Sequence, residues 1–192
     1  MSRAGRCGVA AAAVVALGAC GLEVGPTAAW VDVATVAGPL TAKTGQPPDG
    51  LPVEMARPAT LRVVSFNVEM GADADALAAA IRGNPNIADA DVYLVQEEED
   101  YPAESAARAA RLGDALGLQW LYVPGRVKGT GTHGLAIMSR FPITAPAKMD
   151  LPMIEKGQQR IALRAAIELG DLALPVVDVH LETRLNLSLI HI

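Results

Sequence analysis

Polar side chains at the ends of apolar, strand-like runs mark four positions where chemistry could be placed. Asn67 stands near the end of the run 61–68, Gln96 and Glu97 end and follow the run 91–96, and His180 ends the run 175–179. A carboxylate at a strand end can hold a hard cation, and an imidazole can pass a proton. Taken singly, each has a plainer reading. Asn67 is the kind of residue that forms a turn, the acidic run Gln96-Glu97-Glu98-Glu99-Asp100 reads as a solvated loop, and a lone strand-end histidine is commonly structural. Glu97 is the least ordinary of them, because it directly follows a buried-type strand, at the carboxyl edge where α/β sheets gather ligands. The basic stretch Arg126-Val127-Lys128 before Gly129 could meet a phosphate, and reads equally as an exposed turn with solubilising charges.

These positions need a scaffold, and the residues from 61 onward predict one. The β-rich run 61–68 is followed by Gly71 and by Asp73, an N-cap residue type. A helix is expected over 74–82, with Leu77 and Ile81 four apart on one face and Gly83 ending it. Residues 91–96 form a second strand and 103–116 a second helix, with Ala106, Ala109, Ala110 and Leu112 inward. Residues 119–123 make a third strand, 124–132 a Gly-rich loop, and 133–139 and 143–149 further strands around the turn at Phe141-Pro142. The segments 160–169 and 172–181 face each other across Gly170-Asp171, a two-residue hairpin turn. Strands and helices alternate early and strands dominate later, which favours a mixed α/β sandwich over a purely parallel sheet.

Ahead of that domain the chain has a different character. Both cysteines, Cys7 and Cys20, lie in the first twenty of 192 residues, so the body holds no internal disulfide. Arg3 and Arg6, an apolar run over 9–17 and the ending Leu17-Gly18-Ala19-Cys20 read as a secretory signal, too short to span a bilayer comfortably. That ending resembles a bacterial lipobox, which makes residues 1–19 a signal peptide and Cys20 the lipidated first residue of the mature protein. Acyl chains contribute about 0.8 kcal/mol per buried CH₂, so several anchor firmly. Residues 20–58, broken by Pro39, Pro47, Pro48, Pro52 and Pro58, read as a tether, with a short strand expected within 30–36. The expected placement is lipid-anchored at the outer face of a cell membrane, or secreted. A net charge of −5 and a pI near 5.2 argue against a protein that coats nucleic acid by counterion release.

Read in order, the blocks Ser65-Phe66-Asn67-Val68, Leu94-Val95-Gln96-Glu97, Gly134-Leu135-Ala136-Ile137-Met138-Ser139-Arg140-Phe141-Pro142-Ile143 and Val177-Asp178-Val179-His180-Leu181-Glu182 resemble the endonuclease/exonuclease/phosphatase superfamily, the DNase-I-like fold. Roughly thirty residues separate the first two blocks and roughly eighty the acidic block from the histidine, as in that family. Gln158-Gln159-Arg160-Ile161-Ala162-Leu163 is similar to the strand preceding its histidine hairpin. The resemblance covers 59–186 as the N-terminal part of such a domain, and implies an α/β, two-layer sandwich that hydrolyses phosphate esters with Mg²⁺, Mn²⁺ being the alternative ion. It makes Glu97 the carboxylate ligand of the metal, with Asn67 beside it orienting ligand, water or phosphate. His180 takes the position that hydrogen-bonds the scissile phosphate, and Gln96 supports Glu97 from behind.

The pattern also departs from the family. Leu135 replaces an asparagine that many members carry, so no polar role transfers there. A Gly-Asp-x-Asn turn and a closing Ser-Asp-His block are not found in the sequence. The fold is therefore expected to be incomplete at its C-terminal side, the chain a fragment with half a catalytic site and little activity alone, and residues 187–192 a tail foreign to the domain. The expected partners are a phosphate-ester substrate (DNA, a phospholipid or a small phosphodiester) and a membrane reached through the lipid anchor, with no obligate protein partner. Only four lysines (Lys43, Lys128, Lys148 and Lys156) tilt the substrate slightly away from duplex DNA. The competing function is a non-catalytic, membrane-anchored binding lipoprotein built on the same sandwich.

Overall fold

A computed structural model describes residues 28–46, 57–153 and 157–181. The signal peptide, Cys7, Cys20, Glu182 and the tail 187–192 lie outside the described residues.

Two sheets stack face to face. The first holds β3 (Val63–Met70), β4 (Val92–Asp100), β5 (Gln119–Lys128), β6 (Gly131–Ser139) and the short β2 (Lys43–Gly45), in the order β2-β5-β6-β4-β3. The second holds β1 (Val31–Asp32), β7 (Ile143–Asp150), β8 (Ile161–Leu169) and β9 (Leu172–Val179), in the order β1-β7-β8-β9. Among the described strands only β3 and β4 pair in parallel, and the crossover that a parallel pair requires contains the helix α1 (Ala74–Gly83). Asp73 caps α1 by accepting from the Ala76 amide at 2.9 Å, and Ala74, Ala78 and Ile81 form its buried face. The helix α2 (Arg108–Leu116) ends on Gly117, whose φ of 70° suits the left-handed closing turn.

Strand periodicity sorts the apolar side chains into two cores. Val92, Leu121, Val123, Leu135, Ile137, Ile161, Leu163 and Ile167 meet between the sheets. Tyr93, Val95, Trp120, Tyr122 and Met138, from the other face of the first sheet, pack with Ile81 and Leu112 of the helices. The expected α/β sandwich is thus present.

Most strand ends shift by one or two residues, β3 to Val63–Met70 and β9 to Leu172–Val179 among them, and four segments depart further from the sequence expectation. The acidic run is not a solvated loop: β4 continues through Asp100, with Glu98, Glu99 and Asp100 buried. Strand β5 likewise runs through Pro124 to Lys128, leaving only Gly129 and Thr130 between it and β6 where a longer Gly-rich loop is expected. Charge pairs accompany the extended ends: Lys128 of β5 pairs with Glu99 of β4, and Lys43 of β2 with Asp100 at 2.6 Å. The second helix starts at Arg108, so Ala106 is exposed outside it. The strand within 30–36 shrinks to two residues before a 3₁₀ turn, capped by Asp32 accepting from the Ala34 amide.

Candidate functional site

The C-terminal ends of β3, β4 and β9 lie at one rim of the sandwich, and they carry Asn67, Glu97 and His180. At this rim the ladder breaks. Pairing shifts between Asn67 and Met70 on β3 and between Gln96 and Glu98 on β4, and Glu69, Met70 and Glu97 all take positive φ, 61° at Glu97. Such a bulge re-aims one side chain out of the strand alternation. Non-glycine residues hold this backbone at a cost that tends to be kept where function needs it.

Re-aimed in this way, the partly exposed Glu97 carboxylate lies 3.5 Å from the Nε2 of His180, although 83 positions separate them in sequence. The other imidazole nitrogen, Nδ1, stands 3.1 Å from a guanidinium nitrogen of Arg160. A guanidinium can only donate, so Nδ1 accepts and the ring proton of a neutral His180 lies on Nε2, toward Glu97. Arg160 and His180 line a small cleft with Gln159, Ile161, Gly125, His133, Gly134 and Leu135. Asn67 reaches the same rim on the strand beside Glu97, in register with Gln96, and its side-chain oxygen accepts from the Glu69 amide at 2.8 Å. The structure thus brings Glu97 and His180 together, places Asn67 one strand away, and buries Gln96 behind them.

Two residues here stand inside the blocks quoted above but are given no role there. Arg160 is one, and its signal was a single arginine at the start of the strand before the hairpin. Asp178 is another: it is 2% exposed and accepts a 2.5 Å hydrogen bond from Gln96 Nε2, which also reaches Ser65 Oγ and the Leu94 carbonyl at 3.1 Å. Burial pushes the Asp178 carboxyl up to about 6, against the pull of Gln96 and the backbone amides.

Beside the rim, Glu98 and Glu99 share a buried polar cluster. Burial pushes the Glu98 carboxyl up to about 8, and Arg108 and Arg111 only partly offset it. Burial also raises Glu99, but hydrogen bonds from Lys128, Tyr101 and His133 outweigh it and hold the carboxyl below the usual range. His133 is driven toward the neutral ring, first by burial and then by Arg126. Among the described residues, no three His, Cys, Asp or Glu side chains gather as a metal cluster. A single carboxylate still suits Mg²⁺, a hard ion that retains several waters and is completed by substrate oxygens. Glu97, accessible and presented by the bulge, fits that role; a soft or tetrahedral site would need donors this rim lacks among the described residues.

Two stacked sheets with their helices against one of them make a DNase-I-like α/β sandwich. The sequence profile of the Endonuclease/Exonuclease/phosphatase family matches residues 64–175, and the chain belongs to that family. Among solved structures, an endonuclease/exonuclease/phosphatase family protein from Leptotrichia buccalis C-1013-b is similar, at 15% identity and a TM-score of 0.51. That similarity covers 64% of this chain and 55% of the Leptotrichia protein, and it shows a common fold. No curated protein sequence matches the chain. Members of this family are generally hydrolases and commonly use divalent metals. No described helix is long and apolar enough to cross a membrane.

Proposed function

We propose that the chain contributes one side of a Mg²⁺-dependent phosphoesterase site in which Glu97 holds the ion and His180 the scissile phosphate. The observation that carries this reading is the 3.5 Å approach of Glu97 to His180. When bound, the ion would offset charge on the phosphate oxygens and polarise the ester. The chain's own residues then have distinct tasks. Glu97 supplies the anionic oxygen, and the Nε2–H of His180 is aimed at the rim to donate to a phosphate oxygen. Arg160 fixes that tautomer through Nδ1 and adds positive charge beside the cleft. Asn67, with one lone pair of its oxygen engaged by the Glu69 amide, retains its amide hydrogens to orient a phosphate oxygen or water. Donors placed where charge develops lower the barrier by several kcal/mol in such reactions.

Metal binding tests the reading without requiring turnover. Mn²⁺ titrated into the purified chain and followed by EPR should bind, and Glu97→Gln should weaken binding at least tenfold while Asp171→Asn leaves it intact. Equal affinity in the Glu97→Gln chain would remove Glu97 from the site. Phosphodiester hydrolysis that is lost with EDTA and restored with Mg²⁺, compared across plasmid DNA, phospholipid vesicles and a small aryl phosphodiester, would then separate the substrate classes.

The placement outside the cytoplasm, by acyl chains on Cys20, belongs to the same proposal and is supported by the residue order from Arg3 to Cys20. Labelling with a radioactive fatty acid should mark the expressed chain and fail for Cys20→Ser; equal labelling of both would refute the anchor.

A further inference from the structure

We propose that Asp178 is a positioning residue whose hydrogen bond with Gln96 ties the strand carrying His180 to the strand carrying Glu97 and so sets the reach between them. The inference rests on the phosphoesterase reading of the rim and adds a device beneath it. Gln96 has the parity of Val92 and Leu94 on β4, and Asp178 has that of Val176 on β9, so both point into the space between the sheets. Around them that space is apolar. Apolar contacts hold layers together without fixing a direction, whereas a 2.5 Å hydrogen bond fixes both distance and angle. Among the described residues β9 pairs with β8 alone, so within that set its seating over β4 relies on such a fixed point.

The network has members under all three rim residues. Ser65 precedes Asn67 by two positions, Gln96 precedes Glu97 by one, and Asp178 precedes His180 by two. Gln96 Nε2 reaches both of the others. Stability alone does not account for this arrangement, because a buried polar pair seldom outperforms a packed apolar pair of the same shape. A gain in placement does.

The test reads the communication between Glu97 and His180 directly. The ring ¹⁵N resonances of His180 are recorded with Glu97 intact and with Glu97→Gln, first in the native chain and then in Asp178→Ala, Asp178→Asn and Gln96→Met backgrounds. Gln96→Met deletes the same bond from the other side, and it carries the test if Asp178→Ala fails to fold. Asparagine can still accept from Gln96, so Asp178→Asn should rescue. The expected result is a clear shift on Glu97→Gln in the native and Asp178→Asn chains, lost in folded Asp178→Ala and in Gln96→Met. A shift that persists undiminished in Gln96→Met or in folded Asp178→Ala overturns the positioning role and leaves the rim pair standing. No shift in the native chain overturns the pair, and the positioning role with it.

Discussion

Glu97 is held in a left-handed backbone conformation that glycine would adopt freely. Among the described residues, the ion-pair contact of its side chain is the 3.5 Å approach of His180. A residue kept against its backbone preference is expected to trade stability for function. Glu97→Gly should therefore leave the metal-free chain no less stable, and up to about 1 kcal/mol more so by urea unfolding, while abolishing Mn²⁺ binding. A loss of more than about 1 kcal/mol would show that the carboxylate is structural. Arg108 is the contrasting case. It donates to Glu104 at 2.6 Å, to Glu99 at 3.3 Å and to the Met70 carbonyl at 2.7 Å, and lies over the Tyr101 ring. Arg108→Ala should cost about 3 kcal/mol by urea unfolding, because it takes one partner from the buried Glu99 and breaks the pair with Glu104.

At the scale of elements, much of the architecture was legible because it rests on local rules. Asp73 announces α1, Gly170-Asp171 announces the β8–β9 hairpin, and alternation marks the inner faces of the strands. What was hidden depends on partners distant in sequence. Nothing local says that Glu98 to Asp100 remain in a strand, because Lys43, Arg108, Lys128 and His133 make that tolerable. The site shows the same division. Asn67, Glu97 and His180 could be read from short blocks at strand ends, whereas Arg160 and Asp178 acquire meaning only once β8 and β9 are laid over β4. Gly134 shows how tightly these strands are joined below the rim. A Cβ there would run into the Val123 carbonyl oxygen and stand 2.8 Å from Pro124 Cα, both backbone atoms that cannot turn aside. Gly134→Ala should destabilise the chain by about 3 kcal/mol and disturb the cleft that Gly134 lines with His180. Thermal unfolding within a degree of native would show that the β5–β6 ladder yields more readily than this geometry implies.

For the whole molecule, acids of opposite behaviour set how stability follows pH. Glu98 and Asp178 are raised above their ordinary values of 4.5 and 3.8, to about 8 and about 6. Between those limits the folded chain keeps protons that the unfolded chain has lost, so each acid makes stability fall as pH rises through its window. Glu99 and Glu104 act in reverse, since salt bridges and hydrogen bonds hold their folded values below 4.5. Their contribution is present above that value and is lost as pH falls below it. The two limbs intersect, and the metal-free chain should be most stable in mildly acidic solution rather than at neutrality. Glu98 dominates the upper limb, on the order of a few kcal/mol across its window. Glu98→Gln keeps the shape without the ionisation, so its advantage over native should grow from pH 5 to pH 8 and then level off. Asp178→Asn should flatten only the part between about pH 4 and pH 6. Urea midpoints at unit pH intervals, in EDTA, measure both. A native chain whose midpoint rises steadily from pH 5 to pH 8 would mean that Glu98 is ionised in the fold over that range, and would overturn this account.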